Sequence, residues 1–258
     1  MSKPTLTTPI GIRLLFGLYG VISYFVFLGA ILYLIGFVGG FIVPKSIDDG
    51  PLRSTPQSAI IDTFLFLIFA IQHAIMARPW FKRTWTKIVP HPIERSTFVL
   101  LASLALLLLY WQWRPMPVVV WSAENEIGRA LLHGLFALGW ALVFYSTFCI
   151  DHFDLFGLRQ VYLSCLNKPY THPGFAKPMI YRLVRNPLML GFIIAFWAAP
   201  TMTQGRLIFC ALATVYVLVG IRLEERDLSA HLGENYRRYR SQTPTLIPWP
   251  RPRTRSTM

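Results

Sequence analysis

Six blocks of apolar side chains, over residues 14–38, 58–76, 97–113, 129–149, 188–203 and 206–222, constrain this chain more than any motif in it. A helical run of roughly 20 apolar residues matches the hydrocarbon thickness of a bilayer. Inside that layer the backbone must satisfy its own hydrogen bonds. The expectation is therefore an all-α, polytopic membrane helix bundle of about six transmembrane helices. The last two blocks are short and are expected to pack as one tight hairpin that turns around Thr201 to Arg206. With 54% hydrophobic and 14% charged residues, an ordinary soluble domain is excluded. No composition break separates the blocks, so residues 1–258 read as a single integral-membrane domain. The first block exceeds the roughly 7–15 apolar residues of a signal peptide and is expected to remain as an anchor, with Gly36, Gly39 and Gly40 allowing close helix contact near its end.

Charge supplies the orientation. If six spans put both termini on one side, that side holds the N-terminus, the 77–96 loop, the 150–187 loop and the tail, which together carry 20 of the 25 Lys and Arg. Lys45, Arg53, Arg114, Arg129 and Arg206 fall on the other side. The asymmetry places the N- and C-termini in the cytoplasm. The net charge of +13 is spread over membrane-flanking loops rather than gathered in a basic domain with base-stacking aromatics, which argues against nucleic acid. It suits topology and anionic headgroups, with a smaller share for an anionic ligand. Cys149, Cys165 and Cys210 lack metal-ligand spacing, so neither zinc nor a disulfide framework is expected.

Polar residues at the ends of the spans carry the functional signal. His73 lies late in the second block and His133 early in the fourth, at opposite depths, which disfavours a shared haem. His133 reads as a hydrogen-bonded interhelical histidine, and Asp62 as a cap or interhelical contact. His73 joins other polar groups at the cytoplasmic depth. The segment Asp151 to Gln160 mixes Asp151, His152, Asp154 and Arg159 with large apolar side chains. It fits either an interfacial segment folded down over a pocket or a membrane-surface turn held by ion pairs.

Arg182-Leu183-Val184-Arg185-Asn186-Pro187-Leu188 precedes the fifth block. Asn is a favoured N-cap and Pro a favoured first helical residue, so a helix should start at Leu188 or just before it. Its positive end lies beside Arg182 and Arg185, where a carboxylate could bind. The sixth block ends in Arg222-Leu223-Glu224-Glu225-Arg226. The two carboxylates oppose the helix dipole there, and Arg222 and Arg226 offset part of that cost. They serve either a local salt-bridge network or a ligand bearing an ammonium, a sulfonium or ribose hydroxyls. Guanidinium and carboxylate groups meeting at one depth match an amino-acid-like zwitterion.

The Arg-Asn-Pro-Leu segment, Gly191, the Glu-Glu pair and Tyr236-Arg237-Arg238-Tyr239-Arg240 resemble integral-membrane methyltransferases such as isoprenylcysteine carboxyl methyltransferase and the bacterial phospholipid methyltransferases. Over nearly the whole chain, Gln72 to Pro79, Glu94 to Thr97, Asp151 to Gln160 and Ala198 to Thr203 resemble the bacterial methanethiol S-methyltransferases of the nurim family. That resemblance implies methyl transfer from S-adenosylmethionine to methanethiol, giving dimethyl sulfide, with the core cofactor region in 150–240. By the same analogy, cofactor contacts of the wider methyltransferase class fall on Arg185, Asn186, Pro187, Leu188, Gly191, Glu224 and Glu225, to which the anion-favouring helix start adds Arg182. Asn186 stands where the wider class has histidine, and Met189 where tyrosine is frequent. Asn does not titrate near neutrality, so an imidazole role moves to His73 or His152. A neutral thiol is a poor nucleophile, which makes these two the candidate bases, with Asp151 or Asp154 as orienting partner. The alternatives are a prenylcysteine carboxylate or phospholipid amine acceptor, or a non-enzymatic nurim-like membrane protein. The expected surroundings are the bilayer of a bacterial inner membrane, with the active site facing the cytoplasm and no protein partner.

Overall fold

The computed structural model describes residues 8–171 and 179–248. The chain's first residues, the centre of the 150–187 loop and the Pro/Arg-rich end of the tail lie outside the described residues. In chain order the elements are α1 (Ile10–Gly39), α2 (Thr55–Met76), α3 (Pro79–Trp85), α4 (His91–Gln112), β1 (Val119–Ser122), α5 (Glu126–Ile150), α6 (His152–Leu155) and α7 (Leu158–Cys165). They continue with α8 (Ile180–Leu183), α9 (Pro187–Trp197), β2 (Thr201–Thr203), α10 (Gln204–Leu232) and α11 (Glu234–Gln242). Among the described residues α1, α2, α4, α5 and α10 are long and apolar enough to cross a membrane. The chain is a polytopic helical membrane protein.

The expected fifth span is shorter than its apolar block. Helix α9 has 11 residues, about 16 Å of rise, roughly half the hydrocarbon core. Pro200 explains the stop, because a proline disfavours helical geometry at the preceding residue. The chain then turns extended, and β2 pairs antiparallel with β1, matching Val119 with Thr203, Trp121 with Met202 and Ser122 with Thr201 across an irregularity. This small ribbon draws on the β-branched run Val118-Val119-Val120. At the other end, α10 runs on to Leu232, so Glu224 and Glu225 stand in the helix body rather than in its last turns.

The chain divides into two compact units, one of Met1–Pro115 and Asp151–Gly174, the other of Met116–Ile150 and Phe175–Met258. In the first, α1 packs on α4 and α7, and α2 packs on α4. The expected Asp62 contact is present, since its Oδ1 accepts the Arg114 N–H at 2.8 Å just past α4. Lys45 donates to the carbonyls of Trp111 and Trp113 at 2.7 and 2.8 Å, closing the open C-terminal end of α4. Gly157 holds φ +89° directly against Ser96, where a Cβ would sit 2.8 Å from the Ser96 nitrogen. A side chain there would push the loop before α7 off α4.

In the second unit α5 and α9 form the main packing pair. Gly139 and Gly191 face one another so closely that a Cβ on Gly191 would lie 2.7 Å from the Gly139 carbonyl oxygen. Trp140 packs edge-on to Phe192 and Phe196 beside this contact. His133 is exposed on α5 and makes no hydrogen bond among the described residues, so the expected interhelical role is not realised.

Candidate active site

The second unit gathers the chemistry expected at the two ends of the hairpin. Between α8 and α9 the backbone opens, with Val184 extended at φ −140° and ψ 150°, and the chain pairs with its own tail. The Arg185 N–H donates to the Pro244 carbonyl at 2.9 Å, and the Asn186 N–H to that of Thr245 at 3.1 Å. Pro187 then starts α9, as the Asn-Pro pair predicts. The Asn186 side chain does not cap the helix. Its Nδ2 reaches the Thr245 carbonyl at 3.4 Å instead.

Arg185 is buried, and its guanidinium meets the carboxylate of Glu225. Nε and Nη2 donate to Glu225 Oε1 at 2.8 and 2.6 Å. Nη1 donates to the carbonyls of Arg240, at 2.9 Å, and Thr243. Nη2 also donates to Thr245 Oγ1 at 2.7 Å. Glu225 Oε2 lies 3.4 Å from Nε of Arg240. The partners of Glu225 are thus Arg185 and Arg240, not the neighbouring Arg222 and Arg226 that sequence proximity suggested. Separating either buried partner from the other would leave an uncompensated charge, at a cost of roughly 3–5 kcal/mol.

Helix α11 supplies the tail's hold. Tyr236 and Tyr239, three residues apart, are buried on one face. The Tyr239 hydroxyl donates to the Tyr181 carbonyl at 2.5 Å. Burial, reinforced by the Glu225 carboxylate, pushes the Tyr236 phenol up to about 12, so it stays a neutral hydroxyl at any physiological pH.

Beside this network lies an open cavity of about 580 Å³ lined by Leu218, Ile221, Arg222 and Glu225 of α10 and by Arg237, Arg240 and Ser241 of α11, with Arg185 and Thr245 completing the wall. Its size falls within the roughly 300–1,000 Å³ of small-molecule sites. Four guanidinium groups and one carboxylate, itself already paired, make it a place for an anionic group, and Leu218 and Ile221 give it an apolar side. Such a donor set fits the carboxylate end of an amino-acid-like ligand.

The remaining expected cofactor residues are placed differently. Arg182 and Glu224 are exposed, Leu188 is half-buried and Pro187 is buried. Gly191 is spent on the approach of α9 to α5. Sequence reasoning missed Thr243 and Thr245, which act partly through backbone carbonyls that no side-chain pattern reports. Arg237 and Arg240 enter the sequence reading only through the resemblance of the Tyr236–Arg240 segment.

The candidate bases belong to the first unit. His73 packs its ring against Phe69 and Phe98, with centroids 5.5 and 4.9 Å away. His152 is buried, with Nε2 2.8 Å from the Tyr24 hydroxyl and its ring edge-on to Phe156. Burial lowers the His152 pKa and outweighs the opposing pull of Asp151. Asp151 Oδ1 caps α6 by accepting the Asp154 N–H at 3.1 Å. Asp151 adopts φ 132°, strained for a residue with a Cβ. Asp154 accepts from Gln160 at 3.3 Å and Tyr170 at 3.1 Å, with Arg159 at 3.6 Å. Both readings of the 151–160 segment therefore keep a foothold, since it combines a buried imidazole with local ion pairs. The residue that sequence reasoning missed here is Tyr24, one tyrosine among many in an apolar helix.

The chain is 55% identical to the methanethiol S-methyltransferase of Mycobacterium tuberculosis over 233 residues, which cover 90% of this chain and 96% of that protein. It belongs to the methanethiol S-methyltransferase family. A second methanethiol S-methyltransferase, from Bradyrhizobium diazoefficiens, is 54% identical across 91% of this chain and 82% of its own length. The nurim of Mus musculus is a more distant relative of this methanethiol S-methyltransferase family member, 30% identical over 68% of this chain and 70% of that protein. No family model matches the chain. No solved structure matches it either.

Proposed function

We propose that this protein transfers a methyl group from S-adenosylmethionine to methanethiol, forming dimethyl sulfide, at a bacterial inner membrane. The observation that carries the reading is identity above one half, running through nine-tenths of this chain, to a methanethiol S-methyltransferase. Both termini and the donor site face the cytoplasm in this proposal, supported by the Lys/Arg asymmetry of the loops. Residues 1–258 serve one reaction, with the donor held by the 150–240 region.

The donor, when bound, supplies an electrophilic sulfonium methyl that a thiolate sulfur takes by in-line displacement, leaving S-adenosylhomocysteine. The chain's own residues bind and orient. The exposed guanidinium groups that line the second unit's cavity receive the donor's carboxylate, and Leu218 and Ile221 offer an apolar surface beside it. Asn186 and Pro187 flank Arg185 in the chain and set the start of α9, Gly191 serves the approach of α9 to α5, and Arg182, Leu188 and Glu224 lie outside the cavity lining. Correct orientation of two reactants lowers the barrier by roughly 7–11 kcal/mol.

The thiol proton needs an acceptor. His152 is held neutral below the ordinary imidazole range by burial, and a neutral imidazole is the form that accepts a proton. Tyr24 fixes the ring through its hydroxyl. His73 is the second candidate, and Asp154, which holds Gln160 and Tyr170, keeps the segment of His152 in place.

Headspace gas chromatography of purified protein with methanethiol and S-adenosylmethionine tests the reading. Dimethyl sulfide formed in proportion to enzyme supports it. Turnover of a prenylcysteine or phospholipid instead, or of none of the three, removes it.

A further inference from the structure

A guanidinium has five N–H donors and no acceptor. All five donors of Arg185 are already directed at protein oxygens: two at Glu225 Oε1, one at Thr245 Oγ1, and one each at the carbonyls of Arg240 and Thr243. A ligand carboxylate could reach this guanidinium only by displacing one of those acceptors. It would leave a carbonyl, a hydroxyl or the Glu225 carboxylate without its partner, a loss that weighs most on the charged group. The backbone of the same residue is also engaged, through its N–H to Pro244. Every contact of Arg185 reaches across to α10 or to the segment Arg240–Thr245.

The other cations of the cavity differ. Arg222 is exposed and makes no hydrogen bond or ion pair among the described residues. Arg237 has an ion pair with Glu234 at 3.6 Å, between side chains that are 67% and 84% exposed, the kind of surface pair worth little.

We infer that Arg185 is a positioning residue that does not touch the ligand. It fastens the segment Arg240–Thr245 between α10 and the start of α9, so that this segment forms one wall of the cavity. Arg222 and Arg237 receive the ligand's carboxylate. This rests on the donor reading above, and it reverses the role that the motif alone gives to Arg185.

Two soluble probes separate the roles. S-adenosylhomocysteine carries the amino-acid carboxylate, and 5′-methylthioadenosine keeps the adenosine thioether without it. Calorimetry on the full chain in detergent should show Arg185→Lys weakening both probes by the same factor, roughly tenfold or more, equivalent to about 1.4 kcal/mol. A lysine keeps the charge but cannot hold five acceptors. Arg222→Ala should weaken S-adenosylhomocysteine alone. In turnover, Arg185→Lys should raise KM for the donor and leave kcat nearly unchanged. Loss of S-adenosylhomocysteine binding with 5′-methylthioadenosine binding intact in Arg185→Lys overturns the proposal, and so does rescue by the lysine. Without any ligand, hydrogen exchange at the amides of residues 185 and 186 should be slow in the native chain and fast in Arg185→Lys, with Thr245→Val as a milder second variant. Unchanged protection in both variants also overturns it. If the native chain binds neither probe, the donor reading falls, and the amide measurement alone decides whether Arg185 fastens the tail.

Discussion

In the unit of Met1–Pro115 and Asp151–Gly174, buried polar side chains are mostly neutral hydroxyls, among them Ser23 and Ser103, which bond to their own helices at the Tyr19 and Val99 carbonyls, each at 2.8 Å. Even its buried carboxylate, Asp62, meets a backbone N–H, that of Arg114. The unit of Met116–Ile150 and Phe175–Met258 instead buries an ionised pair, Arg185 with Glu225, and surrounds it with carbonyls from a different stretch of chain. The hydroxyls of Ser23 and Ser103 satisfy local needs of their own helices. The ion pair joins three separate segments and has no local substitute. Polarity that a fold needs only for packing can be neutral and cheap to delete. Charge buried at this density is hard to justify by packing alone, which is why the second unit is the natural place to look for the ligand.

The contrast breaks most visibly at Glu225. Glu225→Ala leaves Arg185 buried and unpaired, and should destabilise the protein by roughly 3–5 kcal/mol as well as abolish donor binding. Thermal unfolding in detergent, followed by circular dichroism, measures the first effect. A midpoint equal to that of the native chain would show that the pair holds nothing.

His152→Ala should lower kcat by roughly a hundredfold or more if the imidazole takes the thiol proton, with donor affinity unchanged. Because burial lowers this pKa, the acidic limb of the kcat/KM profile should fall below the ordinary imidazole value of about 6.5, and it should vanish in the variant. The same shift gives stability a sign. Above about pH 6.5 both folded and unfolded states hold a neutral ring. As the pH drops through that value the unfolded chain takes the proton first, so stability declines until the folded imidazole also titrates. A native profile with its limb above that value would move the base to another group.

Gly191→Val should cost roughly 1–3 kcal/mol by overpacking α9 against α5, read as a lower unfolding midpoint with little change in the affinity of any correctly folded fraction. Affinity loss without destabilisation would return Gly191 to the ligand site. Ser103→Ala, the neutral counterpart of the Glu225 change, should cost only about 1 kcal/mol. An effect as large as that of Glu225→Ala would erase the distinction between the two units.

The long helices were legible because burial in lipid demands unbroken apolar runs, and the start of α9 was legible in Asn186-Pro187. Its early end was harder to see, since Ala198, Ala199 and Met202 extend the apolar run past Trp197, and Pro200 with the pairing of β2 and β1 marks the change. Of the two adjacent glutamates, Glu225 points inward with Leu218 and Ile221 at helical spacing, a phase the sequence contained. The choice of Arg185 and Arg240 as its partners was not legible. It depends on the tail folding back, and the residues that receive it do so through Arg240, Thr243, Pro244 and Thr245 carbonyls that every residue type possesses. The catalytic expectations divide in the same way. His152 was readable as a polar residue in an apolar segment, whereas its partner Tyr24 lies more than a hundred residues away.

Calorimetric titration of S-adenosylmethionine into the purified chain and into Glu225→Gln tests the central claim most directly, because the substitution keeps the size of the side chain and removes the charge that holds Arg185. Saturable binding by the native chain, with affinity at least roughly tenfold weaker in a folded Glu225→Gln protein, is the expected result. Equal affinity in the two, or no binding by the native chain, would contradict the assignment of this cavity to the methyl donor.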